Sequence, residues 1–237
     1  GYLQTAVNDL VSNQVYVLDE NREKFQLIYM NSNRLLLNVL TSGRTLLDHS
    51  ETYLKRKYGK DSKEFIDFKS LTSEIYDLNY EYRFIYKLRN YSQHCGLPIS
   101  SISYTVRNLM GVNTAKLNPV FIREKLLSNY KEWGQTVRDD IFSRTEEFPV
   151  MPIISEYYRC IQEIVSGLFQ IEKKSLVCSL QNIQDIIGVF RNEEQESQLC
   201  VFYDFEYSVP NSYENSNFKV LNIPKKLIQE IKGEIGD

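Results

Sequence analysis

The stretch Tyr80-Glu81-Tyr82-Arg83-Phe84-Ile85-Tyr86-Lys87-Leu88-Arg89-Asn90-Tyr91-Ser92-Gln93-His94 decides how this chain reads. At about 100° per residue, Phe84, Ile85, Leu88, Tyr91 and Cys95 fall on one side of a helix. Arg83, Lys87, Asn90 and His94 line the other. Gly96 and Pro98 close the segment, which predicts an amphipathic helix ending near His94. A helix with one apolar stripe must bury it, so its neighbours in sequence supply the partners.

Upstream, Phe25, Ile28, Tyr29, Leu35, Leu36, Val39, Leu40, Leu46, Leu47, Tyr53 and Leu54 repeat at helical spacing and predict a long helix over 21–58 that Gly59 ends. Asp61 or Ser62 can cap a following helix whose stripe is Phe65, Phe68, Leu71 and Ile75, with a bend at Asp77 and Asn79. Three helices with short connections are the beginning of an antiparallel bundle. Gly1–Glu20 carries short apolar runs among Asn and Asp and is expected to pack back as a short helix.

Downstream the pattern changes. Ser100–Val106 is β-branched and aromatic, as in a short strand, and Gly111–Thr114 is turn-like. Asn118-Pro119 resembles a cap followed by proline at the first helical position, leading through Leu126, Tyr130 and Trp133. Phe148-Pro149-Val150-Met151-Pro152 predicts a break before a helix over 153–171 and a shorter one over 180–189. Apolar and acidic residues alternate at Tyr203–Tyr207, and with Phe218–Leu221 they predict a β-hairpin before a closing helix over 224–232. The expected fold is therefore mainly α, with a helical bundle over 1–99 and a mostly helical region carrying a small β-hairpin over 100–237.

A hydrophobic share of 42% and a charged share of 25% are those of a globular chain. The net charge of −3 removes general electrostatic binding of nucleic acid, so any such contact must be local. Cys95, Cys160, Cys178 and Cys200 form neither a C-x-x-C pair nor a Cys/His cluster, and a reducing cytoplasm without a metal or other cofactor is expected. No apolar run approaches the roughly 20 residues that span a bilayer. Glu193–Glu196 is expected to be a solvated loop.

The chemistry resides at the end of the opening helix. His94 follows Arg89 by five positions, with Asn90 between them and one turn below the histidine. A near-neutral imidazole can move the proton of an RNA 2′-hydroxyl or of the leaving oxygen, and a guanidinium can hold the phosphate as charge develops. The helix C-terminus favours an imidazolium at His94. Arg83 and Lys87 extend a cationic track for adjacent phosphates. Arg44 and His49 share the same interval, but Thr45 follows the arginine and Asp48 and Glu51 flank the histidine, where they would repel a phosphate.

An arginine, then Asn, Asp or His, three residues and a histidine, late in a helical bundle, resembles the signature of the HEPN superfamily, here Arg89, Asn90 and His94. The resemblance spans roughly residues 20–100. It implies a metal-independent endoribonuclease of a bacterial toxin or antiphage defence system, with a homodimer forming a composite cleft and a possible neutralising or sensor protein as partner. It implies equally that a relative can be a non-catalytic helical interaction module.

Overall fold

The computed structural model describes residues 22–109, 112–190, 200–207, 216–222 and Gly233. The chain is mainly helical. The helices are α1 (Arg22–Tyr58), α2 (Lys63–Leu78), α3 (Tyr80–His94), α4 (Arg123–Asn129), α5 (Gln135–Phe142) and α6 (Val150–Phe190). A sheet of β1 (Ser101–Leu109), β2 (Val112–Ile122) and β3 (Glu147–Pro149) has the order β1-β2-β3, all antiparallel. A second antiparallel pair joins β4 (Cys200–Tyr207) to β5 (Ser216–Asn222), with a register shift between Tyr203 and Glu206. The chain divides into two compact units, Gly1–Leu168 and Phe169–Asp237, so residues 100–168 share a unit with the bundle instead of opening a new one. The helices expected near the N-terminus and over 224–232, and the acidic run at 193–196, lie outside the described residues.

Local sequence sets the helix ends. Glu23 in the first turn of α1 and Lys55, Arg56 and Lys57 in its last complement the macrodipole. Gly59 follows at φ +95°, a conformation that side chains rarely adopt. The Ser62 hydroxyl accepts the Phe65 N–H at 3.2 Å and caps α2. Asn79, extended at φ −115° and ψ 112°, separates α2 from α3 without a longer loop.

Contacts along α1 fix the bundle register. Lys69 meets Glu51 at 2.8 Å, Arg44 meets the Tyr86 hydroxyl at 2.8 Å, and the Ile99 N–H donates to Asn33 at 2.9 Å. The α1 numbers fall as the others rise, so α2 and α3 together run antiparallel to α1. The third long element is α6. Tyr157 stacks on Tyr82 with ring centroids 5.8 Å apart, Arg159 donates to the Asn79 side chain at 3.1 Å, and Leu71 lies against Gly167. Pro152 falls in the first turn of α6, where its missing N–H has no helical acceptor to lose, and β3 passes directly into one helix in place of two.

Asn118 and Pro119 lie within β2, opposite Ser103 and Ile102, and the helix begins four residues later at Arg123. Pro119 is tolerated because β3 pairs with β2 only from Val120 onward, so the missing donor falls where that edge has no partner strand. Phe121 and Phe148, facing each other across β2 and β3, are both buried and pack under Phe84 of α3. Trp133 stacks on Phe84 and Tyr91 at 5.9 and 5.7 Å. The sheet and the α4–α5 segment thus cover one side of α3 while α1 and α6 cover the other.

Gly43, in the middle of α1, allows a close approach of α6. A Cβ there would run into the Tyr157 hydroxyl. Gly43→Ala would gain about 1 kcal/mol in an unconstrained helix. Here it is expected to destabilise the protein by about 1–3 kcal/mol through overpacking. The same substitution in a Tyr157→Phe background should cost clearly less, because the clash centres on the hydroxyl. Urea denaturation of the four proteins measures this, and a neutral Gly43→Ala would contradict the close approach.

Candidate functional site

The last turns of α3 present the candidate residues. The Cys95 N–H donates to the Tyr91 carbonyl at 2.8 Å, and its thiol donates to the Asn129 carbonyl at 3.2 Å. The end of α3 is thereby fastened to the end of α4. His94 is exposed there, on the last helical residue. Asn90 is half-buried one turn earlier, hydrogen-bonded to the Tyr130 hydroxyl. Burial and Glu132 push the Tyr130 phenol up, and the Asn90 bond opposes them, so Tyr130 stays a neutral partner. Arg89 is half-buried, and its guanidinium donates to the neutral Gln93 amide oxygen at 3.1 Å.

Arg83 is placed otherwise than the cationic track required. Its relative exposure is 9%, its Nε and Nη2 donate to Asp140 of α5 at 3.2 and 2.9 Å, and its Nη1 donates to the Tyr76 and Asp77 carbonyls. The charge is engaged internally. It closes the end of α2 and ties α5 to the bundle, a structural duty that uses four of its five N–H donors and pairs its charge with Asp140. Lys87 is half-buried on the rim of a recess of about 180 Å³ shared with Tyr76, Asp77, Arg83, Trp133 and the start of α5. The polar face of α3 is therefore closed around Arg83, partly open at Lys87 and Asn90 and open at His94.

The antiparallel register also separates the two Arg-to-His intervals. Arg44 comes level with Tyr86, and both line a cleft with Arg89, Leu40, Leu47 and Tyr157. The two arginines line one recess; the two histidines diverge. With Arg44 level with position 86, His49 is level with about position 81, about 20 Å of helix rise from His94. His49 is exposed and cannot serve the same bound phosphate as His94 within one protomer.

Arg44 is held on three sides. Nε and Nη2 engage Asp48 at 3.0 and 2.8 Å, Nη1 donates to the Tyr86 hydroxyl at 2.8 Å, and the guanidinium lies 5.2 Å from the Tyr86 ring centroid. Burial lowers its pKa, but Tyr86 and Asp48 more than offset that, so the net shift is upward. Deeper in the bundle, Tyr82 and Tyr157 are pushed up by burial, Tyr157 to about 12, and stay neutral. Sequence reasoning set Arg44 aside with His49; the only sequence signal for it was the shared interval, and its position beside Arg89 depends on helix register.

No family model, curated protein or solved structure matches this chain. The roles of these residues rest on their geometry and chemistry. Among the described residues, no group of three His, Cys, Asp or Glu side chains is arranged to hold a metal ion, and no helix is long and apolar enough to cross a membrane.

Proposed function

We propose that the protein is a HEPN-like, metal-independent endoribonuclease of a bacterial toxin or antiphage system. In this reading the RNA 2′-oxygen attacks the adjacent phosphorus as its proton passes to a base, and the 5′-oxygen leaves with a proton from an acid. The products are a 2′,3′-cyclic phosphate and a 5′-hydroxyl. His94 moves one of these protons, Arg89 holds the phosphate, Asn90 orients, and Lys87 can reach a neighbouring phosphate. Arg83 takes no part.

One observation carries the reading: His94 is exposed and Arg89 and Asn90 are only half-buried at one helix end, and the described partner of Arg89 is a neutral amide instead of a carboxylate. A cation left uncancelled on the same two turns as an exposed imidazole suits a phosphodiester lying across the helix end. Each protomer brings only one histidine to that end, while the chemistry moves two protons, which favours two copies of the chain around one scissile phosphate.

Purified protein incubated with total RNA in EDTA is expected to cleave it and leave 5′-hydroxyl ends. Arg89→Ala should reduce that cleavage by about 10²-fold or more, as loss of a preorganised charge does elsewhere. Absence of cleavage under all ionic conditions would favour a second reading, a non-catalytic helical interaction module. That reading has its own observation. Met151, Tyr158 and Val165 of α6 are exposed at intervals of seven, with Ile154 and Ile161 half-buried between them, the spacing of a helix-pairing seam.

A further inference from the structure

We infer that Arg44 and Arg89 form a two-arginine clamp for an RNA phosphate, so that Arg44, outside the Arg-polar-x-x-x-His motif, is a substrate-binding residue. The two guanidiniums come from different helices and line one shallow recess of about 10 Å³, room for a water and not for a phosphate, so the anion would be held across its opening by their outward N–H groups. Three of the five Arg44 donors are used on Asp48 and Tyr86. One N–H on each terminal nitrogen remains to donate to a phosphate oxygen. Its side chain keeps 36% of its exposure, so those donors can reach a ligand.

The surrounding charges agree with an anion. Asp48 is the acid in contact with Arg44, and Gln93 on Arg89 is neutral, so two cations face one carboxylate. Glu51, the next acid along α1, is engaged by Lys69 at 2.8 Å. Asp48 and Tyr86 also hold the guanidinium in place, which reduces the rotamer entropy lost on binding. The apolar floor of the cleft, Leu40, Leu47 and Ile85, excludes competing hydrogen-bond partners from below.

The inference rests on the ribonuclease reading only for the identity of the anion. It is tested by fluorescence anisotropy with a single-stranded 2′-O-methyl oligoribonucleotide, which cannot be cleaved by 2′-hydroxyl attack, titrated at several salt concentrations. Arg44→Gln is expected to weaken binding about tenfold, at the low end for hydrogen bonds to a charged group. The slope of log K against log salt should shrink by about 0.7, one single-strand phosphate contact. Asp48→Asn keeps an acceptor for Arg44 but removes the opposing charge, so it should tighten binding about threefold.

Binding unchanged by Arg44→Gln overturns the clamp, as does Asp48→Asn binding that is unchanged or weaker. Asp48 is 48% exposed and its replacement is isosteric, so this arm stands even if Arg44→Gln fails to fold. The two readings fail separately. If both variants behave as expected while His94→Ala retains full cleavage, the clamp stands and the ribonuclease assignment falls. If His94→Ala abolishes cleavage while neither variant alters binding, the reverse holds.

Discussion

His94→Ala is expected to lower RNA cleavage by about 10²–10⁴-fold, the span that general acid–base catalysis contributes. The fold should be indifferent to it. The imidazole is exposed, and the bonds that finish α3 are made by the Cys95 N–H and thiol instead. Thermal melting and circular dichroism should therefore match the parent protein, while kcat falls with little change in KM, since the histidine acts on protons more than on ground-state binding. His49→Ala is the internal control and should leave cleavage within about twofold, because its helix rise puts it about 20 Å away. Cleavage by His94→Ala within a few-fold of the parent would remove the catalytic role. Equal losses in both histidine variants would remove the assignment to one site.

Asn90 has a different signature. Its described partner is the Tyr130 hydroxyl, so its amide sits between the substrate end of α3 and the aromatic cluster beneath. Asn90→Ala should cost less in rate than His94→Ala. It should cost somewhat more in stability, because a buried phenol loses its hydrogen bond at about 1–3 kcal/mol.

Periodicity made the first half of the bundle legible. Ile28, Leu36, Leu40, Leu47 and Leu54 are buried as their spacing along α1 implied, and Gly59 and Ser62 punctuate it for the local reasons that single them out in the sequence. The failures have two physical causes. Asn118-Pro119 carries a genuine helix-start signal, yet β2 pairs there with β1 on one edge only, and tertiary pairing overrides local preference. Pro152 reads as a breaker, but in a first turn proline costs nothing.

Arg83 is the most instructive case for the site. On a helical wheel it shares a face with Lys87, Asn90 and His94. A wheel shows which residues face one way, not what covers them. The carboxylate that claims Arg83 is Asp140, 57 positions along the chain, and no local pattern connects the two. The same long-range packing engages Asn90, Tyr91 and Cys95 at the end of α3 but leaves His94 exposed. It hides the start of the polar face, leaves its end open, and brings Arg44 across from α1, which neither charge pattern nor spacing could place.

Trp133→Ala is expected to be the most destabilising single change, at about 3–5 kcal/mol for a large aromatic removed from a core. Its relative exposure is 1%, and its ring lies 5.9, 5.7 and 5.2 Å from those of Phe84, Tyr91 and Tyr130. Its indole N–H donates to the Leu126 carbonyl at 3.0 Å, so the substitution also removes a donor from a buried acceptor in the middle of α4. Trp133→Phe separates the two contributions: it keeps most of the stacking area but cannot donate, and should cost about half as much. The consequence reaches the site through two contacts. Tyr91 precedes the Ser92–His94 turn, and Tyr130 is the partner of Asn90. In Trp133→Phe, folded at 25 °C, RNA cleavage should fall while binding of the 2′-O-methyl oligonucleotide stays near normal, because Arg44 and Arg89 lie on the α1 side of α3, away from the indole. Equal losses of cleavage and binding would instead mean that the aromatic cluster sets the whole helix, not only the turn that carries His94.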